Sequence, residues 1–206
     1  MCEEAQLLTR ILCDVTPKEP AEGAYLFAQT RENEKSVFAA AKELLDHGLA
    51  KSVLIPDGRA RCGYPGGVAW RRELQQAGID DDKIKEVPIQ PSDTLHTLIE
   101  AVSLALYAKA KGYERIFAVA APFHQERAFM TAVTAIVREY PELLVYSHAG
   151  KALSWDQRVT HSQGTTKASR AGLILGEQER ITKYQTQGDL LSRAEVLEYL
   201  RQRDLA

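Results

Sequence analysis

The stretch IFAVAAPFHQER, residues 116–127, decides how this chain folds. It begins as a short apolar run of strand-forming residues and passes through Pro122 into a segment with helical periodicity. We therefore predict a strand that leads directly into a helix. The first backbone N–H groups of such a helix lack intrahelical partners and lie at the positive end of its dipole, so they can bind an anion.

Two side chains in the first turn of this predicted helix carry the chemistry. His124 and Arg127 are three residues apart and therefore share a helical face. In one interpretation His124 is a catalytic acid or base and Arg127 is a catalytic anion clamp. In the other, His124 packs on Phe123, and Arg127 is a surface residue paired with Glu126 or Glu139. Spacing alone leaves both interpretations open.

Short apolar runs alternate with helical patterns on both sides of this stretch. The predicted strands cover residues 24–28, 52–55, 84–89, 115–120 and 143–147. The predicted helices cover residues 3–13, 34–47, 68–77, the segment from the loop 91–94 to 111, and residues 124–139, 167–186 and 192–202. Strands separated by helices indicate a parallel α/β sheet, and right-handed crossovers place helices on both faces.

We predict one α/β domain over residues 1–206, with a three-layer, Rossmann-like fold. Its sheet is mostly parallel, with helices on both faces and a helical C-terminal extension. Residues 1–20 supply an N-terminal helix, and residues 149–206 supply an irregular segment, over 149–166, followed by C-terminal helices that pack on the domain.

Composition and charge disfavour several classes of function. With 45% hydrophobic and 26% charged residues in 206, the chain can bury a sizeable core, and a net charge of −2 gives no reason to expect nucleic-acid binding. The N-terminal segment has neither a secretory apolar core nor a membrane anchor, so we expect a cytoplasmic protein. Cys2, Cys13 and Cys62 indicate neither a disulfide framework nor a zinc site. The oligomeric state is not determined by these features.

Polar residues follow each predicted strand, where small ligands bind in parallel sheets. At the end of the third strand, Asp93 is a candidate catalytic partner of His124, although Ser92 or Asp93 could equally cap the following helix. The candidate ligand-binding residues at the strand ends are Gln29, Thr30, Asp57, Gly58, Ser92 and Thr94.

The loop from Asp57 to Gly67 is rich in glycine and contains Arg59 and Arg61. It could wrap a phosphate or close as a lid, or it could be a plain surface loop. It does not match a Walker motif, and residues 29–31 lack the glycines of a dinucleotide fingerprint, so Walker-type hydrolysis and ordinary NAD binding are disfavoured. The chain also lacks a serine-hydrolase elbow and a paired-cysteine metal motif.

Three short motifs together resemble the YdcF/SanA/ElyC-like family of bacterial α/β proteins. Residues 121–128, APFHQERA, resemble its aromatic-His-x-x-Arg-Ala run, and residues 91–94, PSDT, resemble its Ser-x-Asn-Thr segment with Asp93 in place of Asn. The closing pattern of the family is similar to Gly176-Glu177, Arg180, Tyr184 and Gly188-Asp189.

The resemblance implies a Rossmann-like fold with a pocket at the strand ends, and it adds Glu177 to the candidate ligand-binding residues. It also makes S-adenosylmethionine a candidate cofactor, because binding of this compound is attributed to the YdcF branch. Our leading hypothesis is a protein that binds a small anionic or nucleotide-like ligand, with hydrolysis or group transfer as the reaction if it is an enzyme. The alternatives are a non-catalytic binder of S-adenosylmethionine or a related nucleoside, and an interaction protein with a decayed pocket.

Overall fold

A five-stranded, wholly parallel sheet forms the centre of the protein, seen here in a computed structural model that describes residues 3–92, 95–161 and 165–205. Its strands are β1 (Gly23–Leu26), β2 (Val53–Asp57), β3 (Ile84–Pro88), β4 (Arg115–Val119) and β5 (Leu144–Ser147). Their order across the sheet is β3-β2-β1-β4-β5. The parallel α/β class predicted from the sequence is therefore confirmed.

Seven α-helices are present in the described residues, together with one 3₁₀ turn over Asp81–Lys83. The helices are α1 (Glu3–Leu12), α2 (Glu34–Asp46), α3 (Gly67–Gln76), α4 (Thr97–Lys111), α5 (Gln125–Glu139), α6 (Arg170–Thr186) and α7 (Arg193–Leu205). None of them combines the length with the apolar composition that a membrane span requires.

The alternation of side chains along β4 explains the three layers. Ile116 and Ala118 belong to a core packed against α1, α4, α5 and α7, whereas Phe117 and Val119 belong to a second core under α2 and α3. Successive strand residues point to opposite faces, so a strand that is apolar throughout must be covered on both sides. This arrangement confirms the Rossmann-like three-layer fold.

An antiparallel hairpin occupies part of the segment that we expected to be irregular. Strands β6 (Arg158–His161) and β7 (Thr166–Ser169) pair along their whole length, and α6 begins at Arg170 rather than at Lys167. The Ser169 hydroxyl caps α6 by accepting from the N–H of Gly172 at 3.1 Å. Four-residue strands are too short for a period of two to stand out in the sequence, which is why the pattern was missed.

Helix α4 also begins later than expected. Its N-cap is His96, whose side chain makes no capping hydrogen bond, and its first residue is Thr97. Ser92 is therefore not the N-cap residue of α4. Asp93 and Thr94 lie outside the described residues, so the proposed pairing of Asp93 with His124 stays a prediction.

Candidate functional site

The main candidate site lies at the topological switch point of the sheet, between the C-terminal ends of β1 and β4. Crossovers leave these two neighbouring strands in opposite directions, which opens a crevice between the loops that follow them. A cavity of about 320 Å³ lies there. Its walls come from the loop after β1, the glycine-rich loop, the start of α4, the start of α5, the hairpin and the second half of α6.

The cavity is lined both by candidate site residues that the sequence analysis named and by residues that it did not name. They are Ala28, Gln29, Thr30, Cys62, Tyr64, Leu95, His96, Thr97, Glu100, His124, Arg127, His161, Thr165, Thr166, Arg180, Lys183 and Tyr184.

His124 is held in one orientation by hydrogen bonds on both ring nitrogens. Its Nδ1 lies 3.3 Å from Nε2 of Gln29, which also donates to the Phe27 carbonyl, and its Nε2 lies 3.4 Å from Oγ1 of Thr97. Because the Gln29 amide nitrogen can only donate, Nδ1 accepts and Nε2 carries the hydrogen. Burial, reinforced by the charge of Arg127, lowers the pKa of His124 well below its ordinary value. His124 is therefore a neutral, fixed imidazole.

Arg127 pairs with Glu177 of α6, and not with Glu126 or Glu139 as the surface interpretation required. Its Nε donates to Oε2 of Glu177 at 2.6 Å, and its Nη1 donates to Oγ1 of Thr97 at 2.7 Å. Thr97 thus accepts from both Arg127 and His124. The two candidate catalytic side chains of the α5 start are linked through a hydroxyl group of α4.

Glu177 is the centre of a buried cluster of donors. Its Oε1 lies 2.8 Å from Nε2 of His161 and accepts from Nη1 of Arg180 at 3.0 Å, which makes Glu177 and Arg180 an i, i+3 ion pair of α6. Burial acts to raise the pKa of Glu177, but the charge of Arg127 and the hydrogen bond to His161 outweigh it, and the pKa lies well below its ordinary value. Glu177 is an ionised carboxylate that orients Arg127.

The two candidates after β1 have different neighbours. Thr30 lines the cavity, but its hydroxyl donates to the Thr160 carbonyl at 3.0 Å and accepts from Asn33, so it anchors the hairpin. Gln29 is only 3% exposed, and its Oε1 has no hydrogen-bond partner among the residues that the structure describes. Such an acceptor is suited to a donor group of a ligand or to an ordered water molecule.

Three other predicted ligand-binding residues do not join this cavity. Asp57, Gly58 and Ser92 line a separate, wider cavity of about 480 Å³ beside the ends of β2 and β3. Between the two cavities lies the glycine-rich loop, in which Arg61 donates to the Ser92 carbonyl and Tyr64 donates to the Pro56 carbonyl at 2.8 Å. The expected single edge of polar residues is thus divided by a wall that the sequence did not reveal.

Glu100 is the most informative residue that the sequence reading missed. It is 3% exposed, lines the cavity and accepts from the Ala28 N–H at 2.8 Å. Burial raises its pKa to about 7, although that N–H and the charge of Arg127 favour the ionised form. A signal was present, because Glu100 stands four and eight residues before the buried Leu104 and Ala108, on the core-facing stripe of α4.

Cationic groups outnumber ionised carboxylates around the cavity. Among the described residues, Arg127, Arg180 and Lys183 lie there with one strongly ionised neighbour, Glu177. Lys183 is exposed and has no carboxylate within 4 Å in the described parts of the chain. The residues that the structure describes contain no cluster of three side chains suited to a metal ion.

Comparisons with known proteins add no relative. No family model matches the chain, and searches of curated proteins and of solved structures found no significant match. The fold and the site together define a Rossmann-like α/β protein with a charged cavity at its switch point.

Proposed function

We propose that the protein binds a small anionic ligand in the cavity between the ends of β1 and β4. The observation that carries this proposal is the excess of positive charge there: Arg127 and Arg180 both contact the one carboxylate of Glu177, and Lys183 adds a third cation. A ligand with a phosphate, sulfate or carboxylate group would balance that excess.

The size of the cavity restricts the ligand. A volume of about 320 Å³ is near the lower end of the range of roughly 300–1,000 Å³ for small-molecule pockets. The first residues of α4 also line it, and the His96 side chain does not cap that helix. The N–H groups at a helix start favour an anion. We therefore favour a compact anion, with a nucleotide-like molecule as the upper limit of size.

In our proposal His124 contributes to this site through its hydrogen bonds to Gln29 and Thr97, and not through proton transfer. Its ring nitrogens are engaged by Gln29 and Thr97, so it has no free nitrogen for proton transfer in this arrangement. Hydrolysis or group transfer with His124 as acid or base remains the second candidate. It is favoured by the position of His124 on the cavity wall beside Arg127, since hydrogen bonds in an empty site can rearrange around a substrate.

Calorimetric titration with sulfate, inorganic phosphate, adenosine monophosphate and S-adenosylmethionine tests the proposal. The informative variant is Lys183→Gln, because Lys183 makes no ion pair within the described residues, so its loss should not disturb the fold. The matched control is Lys111→Gln. Both lysines lie near the end of a helix over a tyrosine ring, at 5.9 Å for Lys183 and 5.8 Å for Lys111, but Lys111 is not part of the cavity.

We expect at least one of the anions to bind the wild type, and Lys183→Gln to weaken that binding about fivefold, because one nearby charge contributes about 1 kcal/mol in water. Lys111→Gln should bind as the wild type does. Absence of binding by all the anions would overturn the proposal. Binding of S-adenosylmethionine alone, unaffected by Lys183→Gln, would replace it with the nucleoside-binding alternative.

A further inference from the structure

Glu100 is a buried carboxyl group without an ionic partner. It lines the cavity and its Oε2 accepts from the Ala28 N–H, but no cation lies within 4 Å of it in the described part of the chain. The charge of Arg127 in α5 acts on Glu100, but the Arg127 guanidinium is hydrogen-bonded to Glu177 and Thr97. Transfer of an unpaired carboxylate from water to such a position is costly, so the neutral acid is favoured.

The groups that face Glu100 from the surrounding elements are mostly neutral. Tyr25 of β1 and Tyr64 of the glycine-rich loop are buried tyrosines whose pKa values lie well above the ordinary value, because burial disfavours their ionised forms. His124 is neutral for the same reason. The charges of Arg127 and Arg61 act on Glu100 in favour of its ionised form, as does the neighbouring Tyr25 hydroxyl.

We propose that Glu100 is the proton-binding residue of the cavity, where it works as a neutral carboxylic acid that donates a hydrogen bond to the bound anion. This inference rests on the function proposed above and goes beyond it, because it makes ligand binding dependent on a proton. When Glu100 is ionised in the ligand-free protein, an anion that binds brings a second negative charge into a poorly solvated site. One proton is then taken from solvent onto Glu100 as the anion binds, and no other bond changes.

A protonated Glu100 gives the site a means of discrimination. A carboxylic acid donates to an acceptor, whereas a carboxylate repels an anion and attracts a cation or a donor. The cavity in its protonated form therefore selects ligands that are fully ionised and rich in acceptors, such as phosphate and sulfate esters. This chemistry complements Arg127, Arg180 and Lys183, which supply the opposite charge.

Sulfate is the suitable probe, because its own charge does not change between about pH 6.5 and pH 9. Its affinity is measured by calorimetry at several pH values in that range, each in two buffers with different heats of ionisation, so that proton uptake is measured directly. The variants are Glu100→Gln, which keeps an acceptor for the Ala28 N–H, and Glu34→Gln as the matched control. Glu34 is likewise a buried glutamate with a raised pKa, caused by burial, but it accepts from Trp70 outside the cavity.

For the wild type we expect sulfate affinity to fall by at least about tenfold from pH 6.5 to pH 9, with proton uptake on binding, because only the protonated fraction is competent. Glu100→Gln should bind sulfate with little dependence on pH and without uptake. Glu34→Gln should behave as the wild type.

Three results would count against the inference in distinguishable ways. Sulfate binding to the wild type without proton uptake overturns the role of Glu100 and leaves the anion site intact. A Glu100→Gln variant that retains the pH dependence of the wild type likewise overturns the role of Glu100 and leaves the anion site intact. Absence of sulfate binding to both proteins at every pH overturns the sulfate site and the inference together.

Discussion

Arg127 and Glu177 are 50 residues apart in sequence, yet Nε of Arg127 lies 2.6 Å from Oε2 of Glu177. Both side chains are buried, with 8% and 2% of their surface exposed. The contact joins the start of α5, which follows strand β4, to α6 near the C-terminal end of the chain. It therefore fixes both the direction of the Arg127 guanidinium and the position of the helix that covers the cavity.

Loss of the Glu177 charge should be strongly destabilising. In Glu177→Gln, Arg127 would be a buried cation without its carboxylate, and Arg180 and His161 would share a neutral amide oxygen in place of a charged one. Breaking a buried ion pair on one side costs about 3–5 kcal/mol. We expect a loss of this size in the free energy of unfolding, measured by urea denaturation.

Glu198→Gln is the control for this measurement. Glu198 also forms an i, i+3 pair with an arginine, Arg201, but on the exposed surface of α7. Its replacement should leave the unfolding midpoint essentially unchanged. Equal losses in the free energy of unfolding for the two substitutions would show that burial does not make the Glu177 ion pairs more important for stability than a surface pair.

The central sheet can be predicted from the sequence because the signal for each strand lies within the strand and the residues next to it. Each buried strand is a short apolar run, and the alternation of Ile116 and Phe117 between two cores follows from strand geometry once helices are known to flank the run. The position of His124 at a strand-to-helix junction can be predicted from the sequence for the same reason. Periodicity and helix-stop signals within about ten residues were sufficient.

The site was only partly predictable because its contacts are long-range. Nothing near Arg127 in sequence indicates that its partner is Glu177, and the two nearer glutamates were the obvious candidates. The wall that separates Asp57 and Ser92 from His124 depends on the conformation of the glycine-rich loop, where Cys62 has a φ of 53°. Glycine-rich segments have many allowed conformations, so sequence does not select one.

Acid should destabilise the protein through His124. The folded protein holds His124 neutral, because burial and Arg127 lower its pKa, whereas the unfolded chain protonates it near pH 6.5. Below that pH the unfolded state binds more protons, so the free energy of unfolding falls by up to about 1.4 kcal/mol per pH unit for this residue. We expect a shallower decrease in His124→Gln, measured by urea denaturation from pH 6.5 down to pH 5.

The exposed His47, at the end of α2, provides the control for this experiment. His47→Gln should retain the pH dependence of the wild type. If His124→Gln and the wild type lose stability with the same slope, His124 is not a buried neutral imidazole.

Gly150 should not tolerate a methyl group. Its N–H donates to the Ala120 carbonyl at 2.8 Å, and a Cβ at this position would lie 2.9 Å from that same oxygen and would also collide with Oγ of Ser36. Gly150→Ala must therefore push the chain away from the end of β4 and from α2. We expect a loss of about 1–3 kcal/mol, measured by thermal unfolding.

Gly176→Ala is the matched glycine substitution. Gly176 lies inside α6, and the nearest atom to its Cβ would be the flexible end of Arg180, at 3.2 Å. Since alanine is favoured over glycine in a helix by about 1 kcal/mol, this variant should be as stable as the wild type or more stable. A Gly150→Ala protein with unchanged stability would mean that residues 149–151 are free to move away from β4.

Glu100 should make the protein less stable as the pH rises. Its pKa of about 7 in the folded protein exceeds the ordinary value of 4.5, because burial disfavours the carboxylate. The folded state therefore binds the proton more tightly than the unfolded state does. The stabilising contribution is complete below about pH 4.5, declines as the pH rises towards 7, and is lost above it, a change of about 3 kcal/mol.

Glu100→Gln removes this titration while keeping an acceptor for the Ala28 N–H. We expect the variant to be more stable than the wild type at pH 9 and to lose that advantage towards pH 5, in urea denaturation at both values. Glu22→Gln should show the opposite sign: burial acts to raise the pKa of Glu22, but hydrogen bonds from Arg115 and Lys51 outweigh it and lower the pKa. Glu22 therefore stabilises the fold above about pH 4.5, and its replacement should destabilise the protein at pH 9. A Glu100→Gln variant that is less stable than the wild type at pH 9 would mean that the carboxylate is well solvated, and Glu100 could then not be the proton-binding residue of the cavity.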